Sequence, residues 1–584
     1  MRVRILSLSL VAVGLAACVT DDGVQPSASV PFPNDICIPG QPAKSGTQPF
    51  TAQTIVARSL LRDELPPPPL LAGLGNASME ITTRSAMAQR FFDQGLRLAY
   101  AFNHAEARRA FRQAQRLDPE CAMCWWGEAF VLGPNINSPM DAAAVEPAML
   151  ALRSAMALAD TASEREQALI EALRMRYTDR DPVNRKALDI AWAQSMAEVA
   201  GRFPKDDDIQ VLYAESVMNV SPWAYWEADR ETPRGRMGEA IEVLERVLER
   251  DPEHAGAIHF YIHAVEASNT PERALPHARR LAALAPEAGH LVHMPSHIYY
   301  RIGKYREALD ANIDAVAADE RYFERSPSDP FYRNGYYPHN LHFMMAAAQM
   351  AGDGKSAMAA ADKLDRVLDP ALVRVAAVLQ PVKAAPYFTH AQFATSDKIL
   401  SLRDPGDEFV LVKAMWHYAR AVAYAARNEL RAGAREAARI EALSQHAQLQ
   451  EIEAWGVPAS DILRIAQKVA EARLADARDD LPAAAEHYRA AIALQEGMAY
   501  MEPPYWYYPV RQSLGAVQLR MGDFAGAERN FNAALEQAPN NGWALFGLQQ
   551  TYQRQRDEKR LSEVTKRLDG TWFAEPGQLK LRRL

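Results

Sequence analysis

The sequence predicts an all-α fold in which pairs of helices stack into a superhelix, an α-solenoid. Three observations predict it. From Ser85 onward the chain is alanine-rich, with apolar residues at helical spacing and almost no strand alternation. Small, apolar and proline positions recur at 34-residue intervals. The 584 residues also exceed what one hydrophobic core usually holds, which leaves a multidomain chain or a repeat array. With 48% hydrophobic and 24% charged residues, the composition excludes a wholly disordered or collagen-like chain. A formal net charge of −8 and no long basic run argue against nucleic acid as a partner. Four cysteines, Cys18, Cys37, Cys121 and Cys124, are too few for a disulfide scaffold.

The first element is a targeting segment. Arg2 and Arg4 precede an apolar stretch over residues 5–13, followed by Gly14, Leu15, Ala16, Ala17 and Cys18. A positive start, a short apolar stretch and small residues at a cleavage point form a signal peptide, here residues 1–17. The stretch falls short of the ~20 residues needed to span a bilayer. Leu15-Ala16-Ala17-Cys18 resembles the lipobox of bacterial lipoproteins, which implies cleavage before Cys18 and a lipid on it. A plain secretory signal is the alternative. Val19, where an aspartate often marks inner-membrane retention, implies by the same resemblance the outer membrane, with the body in the periplasm or exposed at the surface. The lipid is then the only membrane contact. Residues 18–80 form a tether, because ten prolines between Pro26 and Pro69 favour extended, polyproline-like chain.

The body follows as repeats. Gly95, Ala107, Phe111, Ala114 and Pro119 are matched at the same offsets by Gly515, Ala527, Phe531, Ala534 and Pro539. Ala240, Leu244, Val247 and Pro252 recur 34 residues later as Ala274, Ala278, Leu281 and Pro286. This pattern resembles the tetratricopeptide repeat, whose paired helices need small residues at their crossing and a proline where the second helix stops. The reading gives an N-terminal array over 81–325, an insertion loop over 326–338, a C-terminal array over 339–570 and a tail over 571–584. At 34 residues each, residues 85–570 hold at most about fourteen units.

Over most of its mature length the chain also resembles a family of bacterial tetratricopeptide lipoproteins and secreted proteins of unestablished activity. The stretches that carry the likeness are Phe92-Asp93-Gln94-Gly95-Leu96, Phe102-Asn103-His104, Cys121-Ala122-Met123-Cys124-Trp125-Trp126-Gly127 and Gly133-Pro134-Asn135-Ile136-Asn137. His293-Met294-Pro295-Ser296-His297-Ile298-Tyr299 and Trp506-Tyr507-Tyr508-Pro509-Val510-Arg511 complete the set. The resemblance implies the fold and marks residues; it supplies no reaction.

Nine of the fourteen histidines lie between His254 and His342. If Pro252 closes one repeat, His259 and His263 share a face of the next helix, with Glu266 three residues on. Adding 34 reaches His293 and His297, and the unit aligned on Gly352 and Ala357 places His342 level with His259 and His293. His290 and His339 fall three residues earlier in their units. Five groove-lining positions per repeat would collect only ~1.3 of nine histidines by chance, and seven are found there. Imidazoles four apart on one helix, repeated on adjacent helices, are a recurrent arrangement of transition-metal ligands. The expected metal is copper, then zinc, then iron, with His259, His263, His293 and His297 at the centre. His290, His339, His342 and Glu266 are further ligands or supports. Each histidine alone reads equally as a packing residue, and a groove of them could bind carboxylates or phosphate without metal. Pro295 is a complication, because it falls inside the helix that carries His293 and His297.

Other features carry less. Cys121 and Cys124 suit a local disulfide, a bond to Cys37 or soft-metal thiolates, since the helical context lacks the strand a thioredoxin-like site needs. Trp125 and Trp126 are expected to pack, with one facing the groove. Glu215 and Asn219 take lining positions in an earlier unit, and Tyr299, Tyr300 and Glu215 are available as acids or bases. No G-x-S-x-G, H-E-x-x-H or P-loop motif occurs. Three functions are therefore expected in order: metal binding in the concave groove, capture of a protein or peptide partner there, and metal-dependent oxidase or hydrolase chemistry on a small periplasmic compound. The balance leans away from an enzyme.

Overall fold

A proline two residues past the second helix of a repeat fixes where that helix ends. Asp118, Asp251, Ala285 and Ala538, which precede Pro119, Pro252, Pro286 and Pro539, all leave the helical region with ψ of 91°, 86°, 61° and 83°. The proline ring disfavours α geometry in the residue before it, and at these four positions each helix stops and the chain turns into the next pair. The computed structural model describes residues 67–178, 183–326, 332–573 and 578–584, all within one compact unit. Among the described residues the only β pairing is two isolated bridges, Asn135 with Ser138 and Trp226 with Pro233. The architecture is the predicted all-α tetratricopeptide solenoid.

The repeat opens with helices Ala86–Tyr100 and His104–Leu117 and continues through Ala122–Val131 and Val145–Ala157. Their crossing explains the pattern of small residues. A Cβ placed on Gly95 would lie 2.6 Å from the Phe111 ring, and one on Gly127 would lie 2.4 Å from it. Phe111 is thus clamped between two glycines from neighbouring helices, and it is fully buried. The distant unit repeats the device: Cβ atoms on Gly515 and Gly547 would lie 2.9 and 2.2 Å from the Phe531 ring.

The histidine-rich sector lies in the middle, on helices Ala255–Val265, Gly289–His293, Pro295–Arg301 and Tyr337–Ala351. Downstream the pairs become irregular, with short helices Pro370–Val375, Gln380–Ala384, Pro386–Phe393 and Ser396–Leu400. Regular pairs resume at Val410–Ala426 with Leu430–Leu443 and end at Gly542–Gln555 with Glu558–Asp569.

Three predicted boundaries move. The tether joins the body before residue 81: the Gln94 amide donates to the Pro69 carbonyl and accepts from Leu71 N at 2.7 Å, and Leu74 and Met79 are buried. The insertion loop is shorter than 326–338, because Tyr332–Tyr336 is a π-helical turn that runs into helix Tyr337–Ala351. The tail also packs. Trp572 meets Trp543 edge-on at 4.9 Å, and Leu584 is buried. The signal peptide, Cys18, Cys37 and most of the tether lie outside the described residues.

Candidate metal centre

Pro295 does not disrupt the histidine register. It is the first residue of helix Pro295–Arg301, and Met294 before it keeps helical angles, φ −52° and ψ −38°, so the proline removes one backbone hydrogen bond without turning the chain aside. The two short helices therefore run on as one, and His293 and His297 stay four residues apart on one face. Their Nε2 atoms lie 2.7 Å apart.

Six imidazoles converge as two triads. His259, His263 and His290 form one; His293, His297 and His339 form the other. Within each triad the ligand atoms lie within 4.8 Å of one another. Glu266, which ends helix Ala255–Val265, joins the two: Oε1 accepts from His263 Nδ1 at 2.8 Å and Oε2 from His297 Nδ1 at 2.6 Å. Five of the six imidazoles are at most 1% exposed, and His339 is half-buried.

The surroundings fix which nitrogen faces inward. His259 Nδ1 donates to the Tyr100 carbonyl at 2.6 Å, and a carbonyl can only accept. His293 Nδ1 donates to Asn312 Oδ1 at 2.7 Å, and Asn312 Nδ2 is committed to the Ala308 carbonyl, which fixes the amide's orientation. With Glu266 holding His263 and His297, four rings have their Nδ1 proton engaged and an Nε2 lone pair turned inward; that of His259 accepts from His290 Nε2 at 3.1 Å. The His263 Nε2 has no partner. With both Nδ1 protons engaged, the two Nε2 lone pairs of the His293–His297 pair face each other at 2.7 Å, close enough to share one cation, a proton or a metal ion. Two such nitrogens repel unless a cation lies between them. Imidazole nitrogens ~2.0–2.1 Å from a common transition-metal ion stand about 3 Å from each other. An outer acceptor on the remote ring nitrogen is also the usual support of a metal-bound histidine.

Burial keeps these rings neutral. It pushes His263 and His339 down to about 3 and drives His259, His290 and His293 well below the ordinary histidine range, where neighbouring imidazoles lower them further. His297 is lowered to about 4 by burial, even though Glu266 pulls it up. Neutral imidazole is the form that binds copper, zinc and iron.

The predicted groove is closed over these residues. The Phe102 ring lies 4.5 Å from His259 and stacks 6.0 Å from His263. Trp223 covers His263 at 5.2 Å, Tyr336 covers His290 at 4.7 Å, and Phe343 lies 4.9 and 4.8 Å from His293 and His297. Phe102 and Trp223 hold left-handed backbone, φ 56° and 66°, which is costly for bulky side chains and concentrates at functional sites.

Several expected residues sit elsewhere. His342 joins neither triad. Three residues past His339 it has turned about 300° round the helix, and its Nε2 meets the Tyr507 hydroxyl instead. Glu215 and Asn219 bond to each other, and Arg176 lies 3.6 Å from Glu215, away from the triads. Cys121 and Cys124 form a disulfide with S–S 2.08 Å, which removes the thiolate reading. Trp125 and Trp126 are both fully buried, with indole N–H groups on the Pro119 and Leu169 carbonyls, so neither faces a groove. Sequence reasoning missed Tyr100, Asn312 and Tyr500. Tyr100 acts through a backbone carbonyl, Asn312 lies on the paired helix, and Tyr500 reaches Glu266 Oε2 from 234 residues away.

No protein-family model and no curated protein matches the sequence. Solved structures with some likeness include the Cut9–Hcn1 hetero-tetramer of the APC/C, at 12% identity over 82% of this chain and 76% of that chain, with a TM-score of 0.28. Yeast Tom70 matches at 13% identity over 85% and 94%, with a TM-score of 0.29. A monomeric IFIT1 mutant bound to Gppp-AAAA matches at 11% over 81% and 95%, with a TM-score of 0.32. A likeness this low carries no argument about function, and the fold rests on the helix pairs themselves.

Proposed function

We propose that this chain is a transition-metal protein whose solenoid encloses a centre for two ions, each held by three imidazoles. The observation that carries the reading is the His293–His297 pair. Both Nδ1 protons are engaged, and the bare Nε2 atoms face each other at 2.7 Å. An all-imidazole donor set favours copper, then zinc, then iron. Three protein ligands per ion leave a coordination position open. The test is elemental analysis of protein purified without a polyhistidine tag and reconstituted with each metal. About two equivalents of one metal are expected, falling to about one when His293 and His297 are both replaced by alanine. Protein that stays metal-free after all three reconstitutions overturns the reading.

A catalytic centre, oxidase or hydrolase, is the second reading. It is favoured by a cavity of about 190 Å³ whose lining includes His297. In a copper-loaded sample, azide should then shift the absorption spectrum; a spectrum indifferent to azide indicates a closed site. A protein or peptide partner is a third reading, which the repeat architecture supports in general. Because the histidines are covered, this reading puts the partner's docking surface elsewhere on the array. No described helix is long and apolar enough to cross a membrane. A lipid on Cys18 is the proposed anchor, on the likeness of Leu15-Ala16-Ala17-Cys18 to a lipobox. The Cys121–Cys124 disulfide supports an oxidising compartment such as the periplasm.

A further inference from the structure

The two triads are built alike but are not equally free. In one, the His293 and His297 Nε2 lone pairs face each other at 2.7 Å, and their remote protons are held by Asn312 and Glu266. In the other, the corresponding lone pair is taken. His259 Nδ1 donates to the Tyr100 carbonyl, so the Nε2 of this neutral ring carries no proton and accepts from His290 Nε2 at 3.1 Å. His290 is therefore protonated on the nitrogen that faces His259, and its Nδ1 is buried with no partner.

An ion reaches the His259 lone pair only after that N–H gives way, and the packing restricts how. Tyr336 lies 4.7 Å and Phe102 5.5 Å from the His290 ring, which hinders it from swinging aside. Its backbone is fixed as well. The His290 N–H donates to the Tyr332 hydroxyl at 3.2 Å, and that hydroxyl donates to the buried Asp319 carboxyl at 2.9 Å. What remains is a change of tautomer. The Nε2 proton leaves and one is taken up at Nδ1, so the ring stays neutral, but at Nδ1 no acceptor awaits it. Lacking such an outer acceptor costs a metal site about 10–100-fold in affinity. Glu266 adds to the difference. One of its oxygens holds His263 and the other His297, so an ion on His297 draws negative charge toward Oε2 and loosens the hold on His263.

We infer that the triads load in order: the first ion goes to His293, His297 and His339, and the second to His259, His263 and His290, at least ~10-fold more weakly. His290 sets the order, as the ring whose proton must move. The half-buried His339 gives the first ion its way in, since the three rings of the other triad are each at most 1% exposed. The order rests on the metal reading and makes it a regulated one: the two-ion centre is complete only when metal is plentiful.

The test follows the imidazole nitrogens of the full-length protein by NMR, with isotope-labelled histidine, as zinc is added. Copper(I) is the second ion tried; both are diamagnetic. Single variants His259→Gln, His290→Gln, His293→Gln and His297→Gln assign the signals. In the metal-free chain His290 should be the Nε2-protonated tautomer, and His259, His293 and His297 the Nδ1-protonated one. The first equivalent should shift His293 and His297 and leave His259 and His290 as they were. The second should shift those two and convert His290 to the Nδ1-protonated form, at a free-ion concentration at least ~10-fold higher. A first equivalent that shifts His259 and His290 overturns the order and leaves the metal reading standing. Two ions taken up by the wild-type chain in one indistinguishable step do the same, and need no variant. A chain that binds neither ion sinks the order and leaves iron as the last support of the metal reading.

Discussion

Glu266 carries more of the site than any single histidine. Its two oxygens take the Nδ1 protons of His263 and His297, one from each triad, and Tyr500 donates to the same carboxylate. A glutamine of the same shape could accept only through its single oxygen, so one imidazole would face an N–H group and turn or change tautomer. Glu266→Gln is therefore expected to weaken metal binding by about 10–100-fold, the usual effect of losing an outer support. Competition with a chelator of known affinity reads this directly. An unchanged affinity would show that the rings are held by packing, against Phe102 and Phe343, and not by the carboxylate.

At the scale of the element, the repeat works by letting helices touch where a ring must fit. Gly127 and Gly547 have no room for a Cβ, because Phe111 and Phe531 lie 2.4 and 2.2 Å from where it would sit. Gly127→Ala and Gly547→Ala should each lower stability by ~1–3 kcal/mol through overpacking, seen as a lower denaturant midpoint. Gly201 is the control. It lies in helix Arg185–Arg202 with nothing within 4 Å of a Cβ, so Gly201→Ala should be neutral or stabilise by up to ~1 kcal/mol. Equal effects at all three positions would refute the packing account.

At the scale of the whole molecule, burying so many neutral imidazoles couples folding to pH. In the unfolded chain these histidines bind protons near 6.5, whereas the folded values are about 3 for His263 and His339 and about 4 for His297. The folded state thus binds fewer protons, so their contribution to stability is fully present above about pH 6.5 and is lost progressively as pH falls through about 4 to about 3. Asp319, raised by burial to about 7, acts oppositely: it favours the folded state at low pH and loses that contribution as pH rises through 7. Asp93, Asp189, Glu215 and Glu502, which burial also raises, act in the same direction as Asp319; the six triad imidazoles still outnumber these five carboxyls, so the melting temperature of the metal-free protein should fall between pH 7 and pH 5. Metal should raise it most at neutral pH, because protons compete with metal for the same nitrogens. A flat profile from pH 7 to 5 would mean that the rings are not held neutral. On the same scale, metabolic labelling with a fatty acid should mark the wild-type chain and not Cys18→Ala; label retained by the variant would rule out Cys18 as the anchor.

The sequence by itself determined what depends on local spacing. Proline before a turn, glycine opposite phenylalanine, and histidines four residues apart each act within one helix or one helix pair. Pro119, Gly95 with Phe111, and His259 with His263 could therefore be placed by counting residues. Tertiary structure decided what depends on helices that meet at long range. It chose His339 over His342 for the second triad, set the Tyr100 carbonyl on His259 across 159 residues and brought Tyr500 to Glu266 across 234. It also closed the predicted groove with Phe102 and Trp223, whose left-handed backbone no periodicity announces. The physical reason is that a 34-residue repeat fixes the step from one helix pair to the next, while small deviations such as the π-helical turn Tyr332–Tyr336 change which side chains face inward. Such deviations follow from the packing of the assembled chain.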